Sequence, residues 1–235
     1  MNRKRAMLLV CYFNTWVTDP KSKPSWTKQW IDDRIDIFTR YTLSSIKAQT
    51  NQDFRLFVLY EDVTEPLVRE ALDRHPPLPD NVVFTPVSQT REQFCSYIAG
   101  SEEMFMTRID SDDMYHRTMI QQLYDAKPRP DTQVIINQLG YCYDAIGHRI
   151  AVWRHTSPPF FTLVYKTQDY IDGKEYEMKG HGGAIKLKHE AINNRYNYVV
   201  VIHGKNSLTN FSGSGVITDP AEVDRILREY KEQPI

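Results

Sequence analysis

The chain's 235 residues suffice for one large domain or two small ones, and 41% hydrophobic with 25% charged residues is the balance of a soluble globular protein. A formal net charge of −1, from 29 basic and 30 acidic residues, excludes the overall basic excess of a dedicated nucleic-acid binder. Cys11, Cys95 and Cys142 are few, far apart and outside any Cys-x-x-Cys spacing, so reduced thiols in an intracellular protein are expected rather than a disulfide frame or a zinc knuckle.

The basic start Arg3-Lys4-Arg5 runs into AMLLVCYF, the outline of a signal peptide, but the run stops at Asn14 with no small-residue cleavage site. Met7 to Phe13 therefore predicts a buried first strand. No stretch approaches the length of a transmembrane helix, and a cytoplasmic protein is expected. Ile31 to Gln49 reads as a helix with Ile31, Ile35, Phe38, Thr42 and Ile46 on one stripe and Asp32, Arg34, Asp36 and Arg40 off it. Phe54 to Tyr60 is a second strand, Thr64 to Arg74 a helix ended by Pro76 and Pro77, Val82 to Thr85 a third strand, and Arg91 to Gly100 a helix. Met104 to Ile109 is a fourth strand, with a helix around Thr118 to Ala126 after it.

Beyond Pro128 the rhythm changes. Val134 to Asn137, Tyr141 to Asp144, Phe160 to Lys166 and Val199 to His203 read as strands, and Ala191 to Tyr196 as a short helix. A terminal helix over Pro220 to Lys231 has Asp219 as N-cap and proline in its first position. The expectation is an α/β chain with a mostly parallel central sheet flanked by helices. It forms one domain over 1–235, in a nucleotide-binding half (1–127) and a loop-rich acceptor half (128–235).

In the stretch MFMTRIDSDDMYHRT an apolar strand runs straight into Asp110, Asp112 and Asp113. Like charges this close repel and lose solvation when partly buried, so a positive partner is expected among them. Residues two apart on a strand end point the same way, so Asp110 and Asp112 would face one hard cation, Mg²⁺ or Mn²⁺, which takes carboxylates plus substrate phosphates. The competing reading makes Asp112 or Asp113 a solvated helix N-cap. Position favours the cation reading, because ligands of parallel sheets bind beyond the carboxyl ends of the strands.

The layout is similar to a GT-A glycosyltransferase. SSIKAQTNQDFRLFVLYED resembles the Ser…Gln-Thr, strand, acidic pattern of family-2-like transferases, and RIDSDD resembles their metal-binding Asp-x-Asp. TRIDSDDMYH together with VIHGKNSLTNF resembles, more narrowly, the bacterial rhamnosyltransferase family. The resemblance implies Asp110 at the ribose and metal, Asp112 as the direct metal ligand and Asp113 beside it. It implies Tyr12, Phe13 and Asn14 lining the nucleotide pocket, Glu61 and Asp62 reaching the base or ribose, and Arg91 touching the nucleotide. Arg108 has two open uses, nucleotide contact or pairing with the Asp cluster. His203 is expected as a further metal or diphosphate ligand rather than a hydrogen-bonded strand end, with Lys205, Asn206 and Ser207 at the phosphates.

The implied reaction transfers a sugar, L-rhamnose by resemblance, from a dTDP- or UDP-linked donor to a glycan or other hydroxyl acceptor. An inverting enzyme of this kind needs a base, and Asp144, Glu175, Glu177 and His181 are the candidates, Glu177 and His181 foremost beside flexible glycines. Trp153 and Tyr165 are either sugar-stacking or core aromatics. A sugar-nucleotide pyrophosphorylase would need a basic glycine-rich loop after the first strand, which FNTWVTDP does not offer. A phosphatase would carry its Asp-x-Asp near the first strand. A non-catalytic carbohydrate or nucleotide binder on the same fold is the remaining alternative.

Overall fold

A computed structural model describes residues 3–15, 24–206 and 209–231. In chain order they form β1 (Arg3–Tyr12), α1 (Lys28–Phe38), α2 (Ser44–Lys47), β2 (Arg55–Tyr60), α3 (Glu65–Leu72), β3 (Val82–Pro86), α4 (Thr90–Ile98), β4 (Ser101–Asp110), β5 (Met114–Tyr115) and α5 (Met119–Asp125). There follow β6 (Val134–Asn137), β7 (Leu139–Asp144), β8 (Arg149–Arg154), β9 (Phe161–Lys166), α6 (Thr167–Ile171), β10 (His189–Ile192), β11 (Tyr198–Ile202), β12 (Ser214–Ile217) and α7 (Pro220–Leu227).

The central sheet runs β10–β6–β9–β4–β1–β2–β3, and only β9 opposes its neighbours. The expected mostly parallel sheet is present. A second sheet, β12–β8–β7–β11–β5, packs beside it. The apolar run of β1 is continuous because both its faces are covered. Met7, Leu9, Cys11 and Phe13 enter one core with Ile31, Ile35 and Phe38 of α1. Ala6, Leu8 and Val10 enter the opposite core with Phe94 and Ile98 of α4. Each leucine, valine, isoleucine, methionine and phenylalanine among them contributes about 1.5–3 kcal/mol on burial, more than helix propensities decide.

The long helix after β1 is interrupted. α1 passes through a π-helical turn, Thr39–Leu43, before α2 resumes. The whole predicted stripe, Thr42 included, is buried. Arg34 departs from expectation: it is only 7% exposed, because it stands three residues after Ile31 and four before Phe38, inside the stripe. The predicted helix over Ala191 to Tyr196 is absent. Its first residues belong to β10, which pairs in parallel with β6. The terminal helix is capped as expected, Asp219 Oδ1 accepting the Glu222 N–H at 2.9 Å. Among the described residues no helix is long and apolar enough to cross a membrane.

Candidate active site

The parallel register of β1 and β4 sets Tyr12 beside Asp110 at the carboxyl end of the sheet. There a cavity of about 600 Å³ opens, lined by Tyr12, Phe13, Arg34, Arg108, the turn 110–113 and His181, among others. Its volume suits a small-molecule ligand.

The acidic turn is held from beneath. The Asp113 N–H donates to the Asp110 carbonyl at 3.3 Å, closing the turn. The Thr42 hydroxyl is shared between the carbonyls of Asp110 (3.2 Å) and Asp113 (2.9 Å). Thr42 belongs to the π turn, a distortion often found at functional sites. Ser45 accepts the Tyr115 N–H at 3.3 Å, Gln49 bonds the His116 carbonyl at 3.0 Å and the Ile120 N–H at 3.1 Å, and the Thr50 N–H donates to the Arg117 carbonyl at 2.7 Å. The Ser…Gln-Thr pattern is therefore a clamp on the segment that carries the carboxylates. Asp113 points inward and accepts the Val201 N–H at 3.0 Å, tying the turn to β11.

Strand alternation pairs Asp110 with Arg108 rather than with Asp112, which lies beyond the strand in the turn. Arg108 donates to Asp110 Oδ1 at 2.7 Å and to the Pro159 carbonyl at 3.2 Å. Asp112 Oδ2 is met by Arg34 Nη1 at 2.8 Å and by His203 Nε2 at 3.1 Å. His203 Nδ1 accepts the Lys205 N–H at 3.3 Å, which leaves the ring proton on Nε2, donated to Asp112. Burial raises the Asp112 carboxyl, but His203 and Arg34 outweigh it and hold it below the ordinary range. Burial raises Asp110; Arg108 opposes this and the Asp112 charge adds to it. Burial, then Asp112 and Asp110, push Asp113 well up.

Among the described residues no group of three or more His, Cys, Asp and Glu is arranged to hold a metal ion. Asp110 and Asp112 nevertheless line one cavity, and only one oxygen of each is bonded to a described residue. Two open carboxylate oxygens fit a hard divalent cation that takes its remaining ligands from substrate phosphates. His203 is arranged otherwise. A metal-bound imidazole donates its second N–H to an acceptor, whereas the second nitrogen of His203 itself accepts.

The other expected residues divide. Tyr12, Phe13 and His181 line the cavity, as does Asn206. His181 is exposed overall, and partial desolvation of its imidazole, then Arg108 and His155, hold it below the ordinary histidine value. Asn14 lies beneath the site as a fully buried lock, donating to Ser25 O (3.2 Å) and Thr64 Oγ1 (3.1 Å) and accepting the Glu61 N–H (2.9 Å). Glu61 and Asp62 do not line the cavity; the Asp62 carboxylate accepts the Ser88 N–H (3.1 Å) and hydroxyl, joining two loops. Arg91 lies on α4, donates to the Ile171 carbonyl at 3.1 Å and sits over the Tyr170 ring. Lys205 pairs with Asp33 at 2.7 Å around a separate cavity of about 310 Å³. Ser207 lies outside the described residues.

Glu177 and Glu175 are exposed. Asp144 closes the β7–β8 turn, Oδ1 accepting the N–H groups of Ile146 and Gly147 at 3.0 Å each and Oδ2 meeting Arg149 at 2.9 Å, so it has no free oxygen for a base's work. Trp153 packs edge-on against Tyr198, and buried Tyr165 stacks on Tyr176 at 4.4 Å. Arg34 is the site residue that sequence reasoning missed. The available signal was its place inside an apolar stripe.

A mostly parallel sheet thus delivers an acidic turn to a cavity at the carboxyl ends of its strands, the place where ligands of such sheets bind. Residues 18–129, a little under half of the chain, match the model of the family described as "Putative rhamnosyl transferase". No curated protein sequence matches the chain. The structure of S. aureus TarS 1-349 in complex with UDP-GlcNAc aligns over 86% of this chain and 60% of that one, at 13% identity and a TM-score of 0.47. HddC from Yersinia pseudotuberculosis aligns over 83% of this chain and 93% of that one, at 12% identity and a TM-score of 0.45.

Proposed function

We propose that the chain transfers a deoxyhexose of the rhamnose type from a nucleoside-diphosphate donor, dTDP- or UDP-linked, to a hydroxyl of a glycan or similar acceptor. The observation that carries this reading is the acidic turn: two carboxylates, each with an oxygen that no described residue bonds, on the wall of a cavity of about 600 Å³ at the ends of β1 and β4. The family match over 18–129 supports both the transferase class and the choice of sugar.

Tyr12 and Phe13 form the side of the cavity against which a nucleotide would lie. Asp110 and Asp112 would hold Mn²⁺ or Mg²⁺, which supplies charge neutralisation for the departing diphosphate. Arg34 and Arg108 bring two fixed positive charges to the same wall. The acceptor oxygen attacks the anomeric carbon, the bond from that carbon to the diphosphate breaks, and His181 takes the acceptor's proton. His181 suits the task because it lines the cavity and its depressed pKa keeps it neutral at pH 7. Glu177 does not line that cavity.

The test is a panel of nucleotide sugars offered with Mn²⁺ and a set of glycan acceptors, read by release of nucleoside diphosphate and by mass of the acceptor. Turnover with a rhamnose donor above all others is expected. Binding of nucleotide sugars without transfer or hydrolysis of any would overturn the enzymatic reading in favour of a binding protein.

A further inference from the structure

Arg34 reaches the acidic turn from α1, 77 residues before Ser111, and its side chain is almost wholly buried. Its guanidinium bonds Asp112 Oδ2 at 2.8 Å, approaches Ser111 Oγ at 3.5 Å and lies 5.0 Å from the Trp30 ring. His203 donates to the same oxygen at 3.1 Å. The carboxylate held by Arg34 and His203 is thus also one of the two that a cation would need. A cation brought to Asp112 meets the fixed charge of Arg34 at close range, where screening is weak. A guanidinium deprived of its carboxylate in a buried place is in turn strongly unfavourable unless another anion receives it.

We propose that Arg34 is a built-in competitor for the divalent cation at Asp112, which the cation displaces only when a diphosphate is present in the cavity to receive the freed guanidinium. The chemistry fits the receiving group, since a planar guanidinium bonds phosphate oxygens through two parallel N–H groups as readily as it bonds a carboxylate. His203 serves a different end. With its proton fixed on Nε2 by the Lys205 N–H, it keeps hold of Asp112 while Arg34 leaves, so the carboxylate stays aimed at the cavity. Arg34 is by this reading a positioning residue that couples two ligands: cation alone binds weakly, nucleoside diphosphate alone binds weakly, and each strengthens the other.

The inference rests on the proposed cation and diphosphate site, and its test separates the two. Mn²⁺ alone, then UDP or dTDP at saturating Mn²⁺, are titrated by calorimetry into the wild-type protein and Arg34→Met. The variant should bind Mn²⁺ alone about tenfold more tightly and the nucleoside diphosphate about tenfold more weakly, within the ordinary range of coupling between sites. Opposite signs are the signature, because mere structural damage weakens both. A folded Arg34→Met with unchanged or weaker Mn²⁺ binding overturns the competition. If the variant does not fold, the wild-type protein decides. The Arg34 side-chain Nε–H resonance should move when Mg²⁺ and UDP are added together and stay still with Mg²⁺ alone, and a resonance indifferent to both additions while both bind overturns it. Failure of wild-type protein to bind Mn²⁺ with either nucleoside diphosphate removes the site itself, whereas binding of both without any effect of Arg34 removes only this inference.

Discussion

At the end of β4, Asp110 pairs with Arg108 on its own strand, whereas Asp112 is held by partners far along the chain: Arg34 on α1 and His203 beyond β11. At the end of β7, Asp144 is held by its own turn, by two backbone N–H groups and by Arg149 five residues on. Both sequences end a strand in a carboxylate, yet the consequences differ. The local arrangement engages both oxygens of Asp144 and finishes a hairpin. The long-range arrangement engages one oxygen of Asp112 with distant elements and leaves the other without a bond to any described residue, in a side chain that lines a cavity. Partners that fold in from elsewhere set a carboxylate's direction without closing it off.

That contrast is sharpest where chemistry is expected. His181→Ala should lower transfer about 10²–10⁴-fold while donor binding is retained, since a base acts only as the acceptor attacks. The imidazole's pKa is depressed by burial, then Arg108 and His155, so the active neutral form persists into mild acid. Transfer should rise with pH through a value below the ordinary histidine pKa of about 6.5. A rate profile with its acid limb above pH 7, or one unchanged in His181→Ala, would remove the residue from this role.

Asp112→Asn should come next in effect. It leaves a buried guanidinium without its counter-charge, at a cost of about 3 kcal/mol in urea unfolding. Asn14→Ala should cost about 2 kcal/mol, because it strands the Glu61 N–H and removes the donors to the Ser25 carbonyl and the Thr64 hydroxyl, the latter keeping its bond to the Glu61 carbonyl. Its effect on donor affinity should be small, in keeping with a lock rather than a nucleotide contact.

Asp144→Ala should cost about 1–2 kcal/mol and leave donor binding untouched. The Gly147 N–H lowers this carboxyl; burial raises it, and Arg149 with the Ile146 N–H lowers it further, for a net depression. A depressed folded pKa gives stability that is present above the unfolded value, about 3.9, and is lost as pH falls through the folded value. The gap between wild type and Asp144→Asn should therefore shrink below about pH 4. A gap independent of pH would show that the turn does not depend on the charge.

Much of this was legible in the amino-acid order, for physical reasons. A strand covered on both faces must be apolar throughout, so β1 announced itself, and the acidic turn was found because its place at a strand end gave a second reason to notice it. Arg34 was only half legible: its place between Ile31 and Phe38 marks it as buried, but a charged residue there has no partner until the fold supplies Asp112. Asp144 misled because nothing in YDAIGHR separates a carboxylate held by its own turn from a free one. Asn14, Asp62 and Arg91 stand near strand or helix ends where ligands bind, but their partners are protein groups that only tertiary structure brings close. Residues 191–196 read as helical, yet pairing with β6 claimed their first two positions.

The most direct test sets the two carboxylates side by side. UDP and dTDP are titrated with Mn²⁺ into wild type, Asp112→Asn and Asp144→Asn, each confirmed folded by circular dichroism. Binding of at least one nucleotide to wild type and Asp144→Asn with equal affinity, and its loss in Asp112→Asn, is the predicted result. Equal binding by all three proteins would contradict the assignment of the acidic turn as the donor site.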